Sequence, residues 1–196
     1  NKGEPLAHGD WLSVSQKTDA GETLTIVQDF KPDWIIVDHY ALDATWHRIV
    51  KPYCTNIMVI DDLADRSLDC KILLDQNMGA SEVAYKGKVL SDCKYLIGPK
   101  YALLRKEFQD WRQYSLNRRL RGSIQKILIT MGGVDASNHT LEVIKELERS
   151  EYSADCEFTI VLGALFPHIH ALEKFIKSSQ LVLSVMTNVK NMAEIM

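Results

Sequence analysis

The sequence lacks an apolar run close to the roughly 20 residues of a membrane-spanning helix, and it has no signal-peptide pattern at its start. It also lacks an excess of positive charge. The net charge of -3 gives no long-range attraction for nucleic acid, and the short basic run at residues 118–121 is typical of a linker or helix end. We therefore expect a cytoplasmic protein without membrane insertion and without a nucleic-acid partner.

Recognisable metal and nucleophile motifs are also missing. The four cysteines form no C-x-x-C pair, as expected of reduced thiols, and they predict no metal site. His168 and His170 are two positions apart, which places them on different sides of a helix and argues against zinc. There is no serine elbow and no Cys–His pair at a recognisable spacing. Hydrolysis by these nucleophiles is not indicated.

The sequence does contain enough apolar residues to form a hydrophobic core. With 196 residues and 46% hydrophobic composition, the chain can bury roughly 70% of its unfolded surface in one large or two small domains. The chain begins at Asn1 without methionine and stops at Met196 inside a helical pattern. We expect it to be a fragment of a longer protein.

Short apolar segments alternate with helical patterns along the chain. Residues 34–37, 57–60 and 72–74 predict buried parallel strands, and residues 42–50 predict a helix between the first two. After a basic polar segment, the pattern of strand, Gly turn, helix and strand resumes. The sequence predicts an α/β protein with two halves, residues 1–116 and 124–196, joined by a linker at residues 117–123.

Polar residues follow the first two predicted strands. Asp38, His39 and Tyr40 follow one strand, and Asp61 and Asp62 follow the next. Ligands of parallel sheets bind at the carboxyl ends of strands, so these residues are candidates for one edge of a cleft. Capping of the following helices is an equally good explanation.

Two further clusters have alternative interpretations. The Gly132–Gly133 turn, in "MGGVDASN", would let backbone N–H groups approach a phosphate, or it is a tight turn with Asp135 or Ser137 capping a helix. The "DDLAD" cluster resembles the magnesium-diphosphate carboxylates of prenyl-chain enzymes. Those carboxylates lie on a long helix, whereas this cluster follows a strand, so we expect no magnesium site.

Taken in order, "VDHYALDATW", "VIDDLADR", "LLDQN", "GPKYALLRKEF", "ITMGGVDASN" and "VKNMAEIM" resemble one family. It is the family of UDP-2,4-diacetamido-2,4,6-trideoxy-β-L-altropyranose hydrolases of pseudaminic acid biosynthesis, with their spore-coat polysaccharide relatives. The resemblance implies two Rossmann-like lobes of the B-type glycosyltransferase architecture, like that of the MurG transferase. It also implies hydrolysis of a UDP-sugar without a metal or other cofactor.

The resemblance implies roles for individual residues. Tyr40 would lie beside the sugar and the catalytic water. The family's catalytic histidine lies in a "G-x-G-H" loop that this chain lacks, so we expect it upstream of Asn1 and expect the fragment to be inactive. The other implied substrate-binding residues are Asp38, His39, Asp61 and Asp62 beside the sugar, Tyr101, Leu104 and Arg105 between the lobes, Gly132, Gly133, Asp135 and Asn138 around the diphosphate, and Val189 and Met192 near uracil.

Two other functions remain open at this point. A glycosyltransferase of the same fold would transfer the sugar to an acceptor instead of to water. A non-catalytic nucleotide-sugar binding module would bind the same ligand without turnover. The sequence does not determine the oligomeric state.

Overall fold

The computed structural model describes residues 6–120, 122, 124–150 and 156–196. The chain divides into two compact units, Asn1–Leu103 and Leu104–Met196. None of the helices in these described segments is long and apolar enough to cross a membrane.

The first unit is built on a four-stranded sheet in the order β1-β2-β3-β4, and every neighbouring pair is parallel. Its strands are short apolar segments that end in turn-forming or acidic residues. The elements are α1 (Gln16–Phe30), β1 (Ile35–Val37), α2 (Ala44–Val50), β2 (Ile57–Ile60), β3 (Ile72–Asp75) and β4 (Lys94–Ile97), with short 3-10 turns at Gly9–Trp11, Glu82–Tyr85 and Pro99–Tyr101.

Local side-chain bonds fix the two helices of this unit. Ser15 caps α1 by accepting a hydrogen bond from the Thr18 amide at 3.1 Å, and Asp43 caps α2 through the Thr45 amide at 2.7 Å. The buried Trp46 indole donates to Asp19 Oδ1 at 2.7 Å and ties α2 to α1. These bonds fix where the two helices begin and join α2 to α1.

The second unit contains a three-stranded parallel sheet in the order β5-β6-β7. Phe158 and Ile160 on the central strand and Leu172 on a covering helix are completely or almost completely buried. The elements are α3 (Lys106–Arg119), β5 (Lys126–Ile129), α4 (His139–Glu148), β6 (Glu157–Leu162), α5 (Ile169–Ile176), β7 (Val182–Thr187) and α6 (Met192–Ile195).

The predicted α/β class with parallel sheets is confirmed, and it is consistent with a Rossmann-like fold. Residues 117–119 of the predicted linker are the last residues of α3, and Arg121 and Ser123 lie outside the described residues. The domain limits at residues 116 and 124 stay a prediction.

Candidate functional site

The carboxyl ends of β1 and β2 meet at one edge of the first sheet, since Val37 pairs with Val59 in parallel register. The residues that follow these strands border a cavity of about 290 Å³, close to the lower end of the size range of ligand pockets. The lining residues are Asp38, Tyr40, Ile60, Asp61, Asp62, Leu74, Gln76, Asn77 and Leu103.

Tyr40 and Asp62 form a direct hydrogen bond in this cavity. The phenol donates to Oδ1 of Asp62 at 2.6 Å. This bond, with partial burial and the negative charges of Asp62, Asp61 and Asp38, raises the pKa of Tyr40 to about 12. Tyr40 therefore keeps its proton at neutral pH, and the phenol oxygen can still accept a hydrogen bond from a ligand or water.

The second oxygen of the Asp62 carboxylate is also engaged. Asn77 Nδ2 donates to Asp62 Oδ2 at 2.8 Å, and the Asn77 backbone N–H donates to Asp75 Oδ1 at 3.1 Å. Asp62 is consequently held from two sides, by Tyr40 in the loop after β1 and by Asn77 in the loop after β3.

Asp61 has a different environment, because its side chain is buried and ion-paired. Its Oδ1 lies 2.6 Å from Arg66 Nη1, and its Oδ2 accepts the Ala64 amide at 2.9 Å. The same guanidinium lies 2.9 Å from Asp65 and donates from Nε to the Leu42 carbonyl at 2.9 Å. The contacts of Asp61 with Arg66 and Ala64 therefore hold the loop after β2 in place. A contact of Asp61 with a sugar stays a prediction.

This ion pair also bears on the magnesium interpretation of "DDLAD". Two of the three carboxylates are engaged by Arg66. Across the segments that the structure describes, no group of three or more His, Cys, Asp or Glu side chains is placed to hold a metal ion.

Aromatic and charged side chains surround the Tyr40 ring. The His8 and Trp11 ring centres lie 5.4 and 5.8 Å from it, and the Arg66 guanidinium carbon lies 5.7 Å away. His39 instead accepts the Ala41 amide on Nδ1 at 3.1 Å and is absent from the cavity lining. Of the predicted "DHY" residues, Asp38 and Tyr40 border the cavity.

Tyr101 lies at the end of a 3-10 turn, with the Lys100 ammonium 4.8 Å from its ring centre. It does not line the cavity, but Leu103 does, and the Leu103 N–H donates to Gln76 Oε1 at 2.8 Å. Leu103, the last residue of the first unit, therefore lies beside the cavity, two residues after the 3-10 turn.

The di-glycine turn follows β5 in the second unit. Gly132 has a positive φ of 78°, which favours glycine. The Asp135 carboxylate accepts the His139 and Thr140 amides, each at 2.9 Å. Partial burial acts to raise the pKa of Asp135. The hydrogen bonds from Thr140 and His139 outweigh this effect, so the pKa of Asp135 is lowered. Asp135 thus caps α4, as the alternative interpretation holds.

The di-glycine turn packs tightly against the residue after β6. A methyl group placed on Gly163 would lie 1.8 Å from the Gly133 carbonyl oxygen. His168 Nε2 is 2.8 Å from the Ala136 carbonyl, and Asn138 Oδ1 is buried without a hydrogen-bond partner among the described residues. Gly163 and His168 therefore support the loop whose glycines we expect to face a diphosphate.

The remaining predicted residues of the second unit lie near α3 and α6. Arg105 pairs with Glu107 at 2.6 Å and approaches the Lys190 carbonyl at 3.4 Å. Leu104 is exposed, Val189 is half-buried, and Met192 begins α6. Arg105 is thus adjacent to the segment that contains Val189 and Met192, and their contact with a nucleotide stays a prediction.

Several residues at these sites were not identified from the sequence. Gln76 and Asn77 follow β3 in the same way that Asp61 and Asp62 follow β2, so the strand-end rule predicts their location. Arg66 and Gly163 carry no comparable signal, because their partners are brought near only by the fold.

No family model matches the chain. Over 189 residues it is 27% identical to an uncharacterized protein of Methanocaldococcus jannaschii, covering 94% of this chain and 39% of that protein. Over 157 residues it is 28% identical to the UDP-2,4-diacetamido-2,4,6-trideoxy-beta-L-altropyranose hydrolase of Campylobacter jejuni, covering 80% of this chain and 53% of the enzyme. The chain thus spans about half or less of each of these relatives, and its similarity to the hydrolase supports a distant, family-level relationship.

Proposed function

We propose that the chain is part of a nucleotide-sugar hydrolase that releases UDP from UDP-2,4-diacetamido-2,4,6-trideoxy-β-L-altropyranose or a closely related sugar. The observation that carries the proposal is the Tyr40–Asp62 pair in a cavity at the carboxyl edge of a parallel sheet. The distant similarity to the Campylobacter jejuni hydrolase supplies the substrate class.

In the proposed reaction, the oxygen of a water molecule bonds to the anomeric carbon, and the bond from that carbon to the diphosphate oxygen breaks. The bonding electrons leave with UDP, and a base takes the proton of the water. In our proposal this base is the catalytic histidine that the family resemblance implies. Tyr40 donates to Asp62, so its oxygen can accept a hydrogen bond from the water and orient it.

Charge around the cavity suits such a reaction. The transition state of glycosyl transfer to water resembles an oxocarbenium ion, which carries positive charge at the anomeric centre. The carboxylates of Asp38 and Asp62 border the cavity and favour that charge. In this proposal the backbone N–H groups of Gly132 and Gly133 hold the departing diphosphate.

The proposed architecture is that of the B-type glycosyltransferases, with two Rossmann-like lobes joined at residues 117–123. Support comes from two compact α/β units, each with a parallel sheet. In this arrangement Asp38, His39, Asp61 and Asp62 form the sugar side. Tyr101, Leu104 and Arg105 belong to the proposed substrate-binding set, Asp135 and Asn138 support the diphosphate loop, and Val189 and Met192 contact uracil.

The test uses the full-length gene product with the UDP-sugar, with UDP release and UDP binding measured separately. Release of UDP without any acceptor supports the hydrolase. Release that requires a sugar or lipid acceptor indicates a transferase and contradicts the proposal. Calorimetric binding of UDP without turnover indicates a binding module and contradicts it as well.

A further inference from the structure

A continuous series of hydrogen bonds connects the Tyr40 phenol to the interior of the first unit. Tyr40 donates to Asp62, and Asn77 donates to the other oxygen of Asp62 through its side chain. The Asn77 backbone N–H donates to Asp75, and the fully buried Tyr85 donates to Asp75 Oδ2 at 3.0 Å. Each member of the series has at least one partner nearer to the core.

We propose that Asn77 is a positioning residue for Tyr40, acting through the Asp62 carboxylate. Its side-chain amide occupies Oδ2 of Asp62 and leaves Oδ1 directed at the phenol. As far as catalysis is concerned, this inference rests on the proposed function. The positioning itself is a property of the folded chain and can be tested without a substrate.

The exposure of Asp62 explains why a second residue is needed to hold its carboxylate. Asp62 is exposed, so without a second contact its carboxylate would rotate among several rotamers and spend part of its time away from Tyr40. Asn77 is also exposed, but its backbone is fixed by Asp75, which is only 5% exposed. The orientation of an exposed carboxylate is thereby set by a buried one.

The bond between Tyr85 and Asp75 strengthens this anchor. The Tyr85 hydroxyl is also 3.0 Å from the Asp61 carbonyl, so one buried phenol connects the ends of β2 and β3. Burial and the charges of Asp61 and Asp75 raise the pKa of Tyr85, which keeps it a donor at any physiological pH. The strand ends that carry Asp62 and Asn77 are consequently held at a fixed spacing.

Asn77 is neutral, so its replacement changes the direction of Asp62 without changing the formal charges around Tyr40. The titratable or charged groups that face Tyr40 are the carboxylates of Asp38, Asp61 and Asp62, the guanidinium of Arg66 and the imidazole of His8. All five remain in the Asn77→Ala variant. A change in the Tyr40 titration would therefore report the loss of orientation.

The experiment follows Tyr40 ionisation by NMR of tyrosine labelled with ¹³C at Cζ, with the signal assigned by its loss in Tyr40→Phe. In the unchanged chain the midpoint is expected near pH 12. Asn77→Ala and Asn77→Ser should move it toward the ordinary value near 10 by roughly one unit. The matched control is Asn56→Ala, which removes surface bonds of 2.8 Å to the Asp33 carbonyl and 2.6 Å from Lys71 and should leave the midpoint unchanged.

A midpoint in both Asn77 variants that equals that of the unchanged chain would overturn the inference. For the full-length enzyme we expect Asn77→Ala to lower kcat about tenfold with little change in KM. An unaltered kcat would overturn the catalytic part. If the unaltered enzyme shows no hydrolysis but the titration shifts as expected, the proposed function fails and the positioning stands.

Discussion

Tyr40 and Asp62 are 22 positions apart in the sequence, yet the phenol of one lies 2.6 Å from the carboxylate of the other. They meet because β1 and β2 are parallel neighbours and both residues follow the carboxyl ends of their strands. A tyrosine that donates to a carboxylate keeps its proton and offers an oxygen as acceptor. This arrangement suits the orientation of water better than proton abstraction by Tyr40 itself.

Replacement of Tyr40 by phenylalanine should reduce turnover without removing the ligand site. We expect kcat of the full-length enzyme to decrease about 100-fold, while the dissociation constant of UDP changes less than about threefold. Tyr53→Phe is the control, because Tyr53 is 51% exposed and lies outside the cavity. Equal turnover in the Tyr40→Phe variant and the unchanged enzyme would reject the role of Tyr40.

Loss of the buried Arg66 should destabilise the first unit strongly. Arg66→Met leaves Asp61 as an unpaired buried carboxylate, for which we expect a loss of about 3–5 kcal/mol in the free energy of unfolding. Arg48→Met removes a pair of 3.7 Å between an exposed arginine and the buried Asp69, which stays paired with Lys51, and it should cost less than about 1 kcal/mol. Urea unfolding measures both values. Similar losses for the two variants would refute the importance of the buried pair.

Alanine at Gly163 should displace the di-glycine turn. Its methyl group would overlap the Gly133 carbonyl, so we expect a loss of about 1–3 kcal/mol in the second unit and about tenfold weaker UDP binding by the full-length protein. Gly21→Ala is the control, since a methyl group added there in α1 would meet no other part of the chain within 4 Å beyond its own helix backbone and sequence neighbours. There alanine should stabilise by about 1 kcal/mol or less. Amide NMR shifts of Gly132 and Gly133 that stay unchanged in Gly163→Ala would contradict the predicted displacement.

Stability of the first unit should decrease in mild acid because of His47. Burial lowers the pKa of His47 to about 4, with opposing effects from Asp43 and Asp69, against an ordinary value of 6.5. Between pH 4 and pH 6.5, His47 binds a proton in the unfolded chain more readily than in the folded chain. The contribution of neutral, buried His47 to stability is therefore complete above pH 6.5 and is lost as the pH falls toward 4. The expected loss is roughly 3 kcal/mol.

His47→Asn tests this prediction, because Asn can retain an acceptor for the Asp69 amide that His47 Nδ1 now accepts at 3.1 Å. Unfolding free energies at pH 7.5 and 4.5, measured by hydrogen exchange of β2 and β3, should differ less in the variant than in the unchanged chain. His170→Asn, at an exposed position, should leave the difference unaltered. An identical pH dependence in the His47 variant would exclude His47 as its cause.

The described strands other than β4 (Lys94–Ile97) could be predicted because each is a short apolar run. β4 was not predicted, since it is an edge strand that begins with an exposed lysine and has no fully buried residue. β2 matches the predicted residues, and β3 extends the prediction by one residue to Asp75. Helix α1 was missed because only Ala20 and Val27 are buried on it, which leaves a weak apolar stripe. The composition of "YALLRKEFQDWRQY", which begins at Tyr101, predicts a helix over the whole stretch, but α3 starts only at Lys106 because a 3-10 turn occupies Pro99–Tyr101.

The candidate site could be predicted only in part, for a physical reason. Residues that follow adjacent strands converge by topology, so Asp38, Tyr40 and Asp62 were accessible to sequence reasoning. The partner that a side chain selects depends on packing. Asp61 turns inward to Arg66, whereas Asp62 turns to Tyr40 and Asn77, although the two aspartates are neighbours in sequence.

The central claim is hydrolysis at the anomeric carbon, and one measurement tests it directly. The full-length gene product is incubated with UDP-2,4-diacetamido-2,4,6-trideoxy-β-L-altropyranose in ¹⁸O-labelled water, without any acceptor, and the products are followed by NMR and mass spectrometry. We predict release of UDP with the label in the anomeric hydroxyl of the sugar. Label in the UDP phosphate, or no UDP release without an acceptor, would contradict the account.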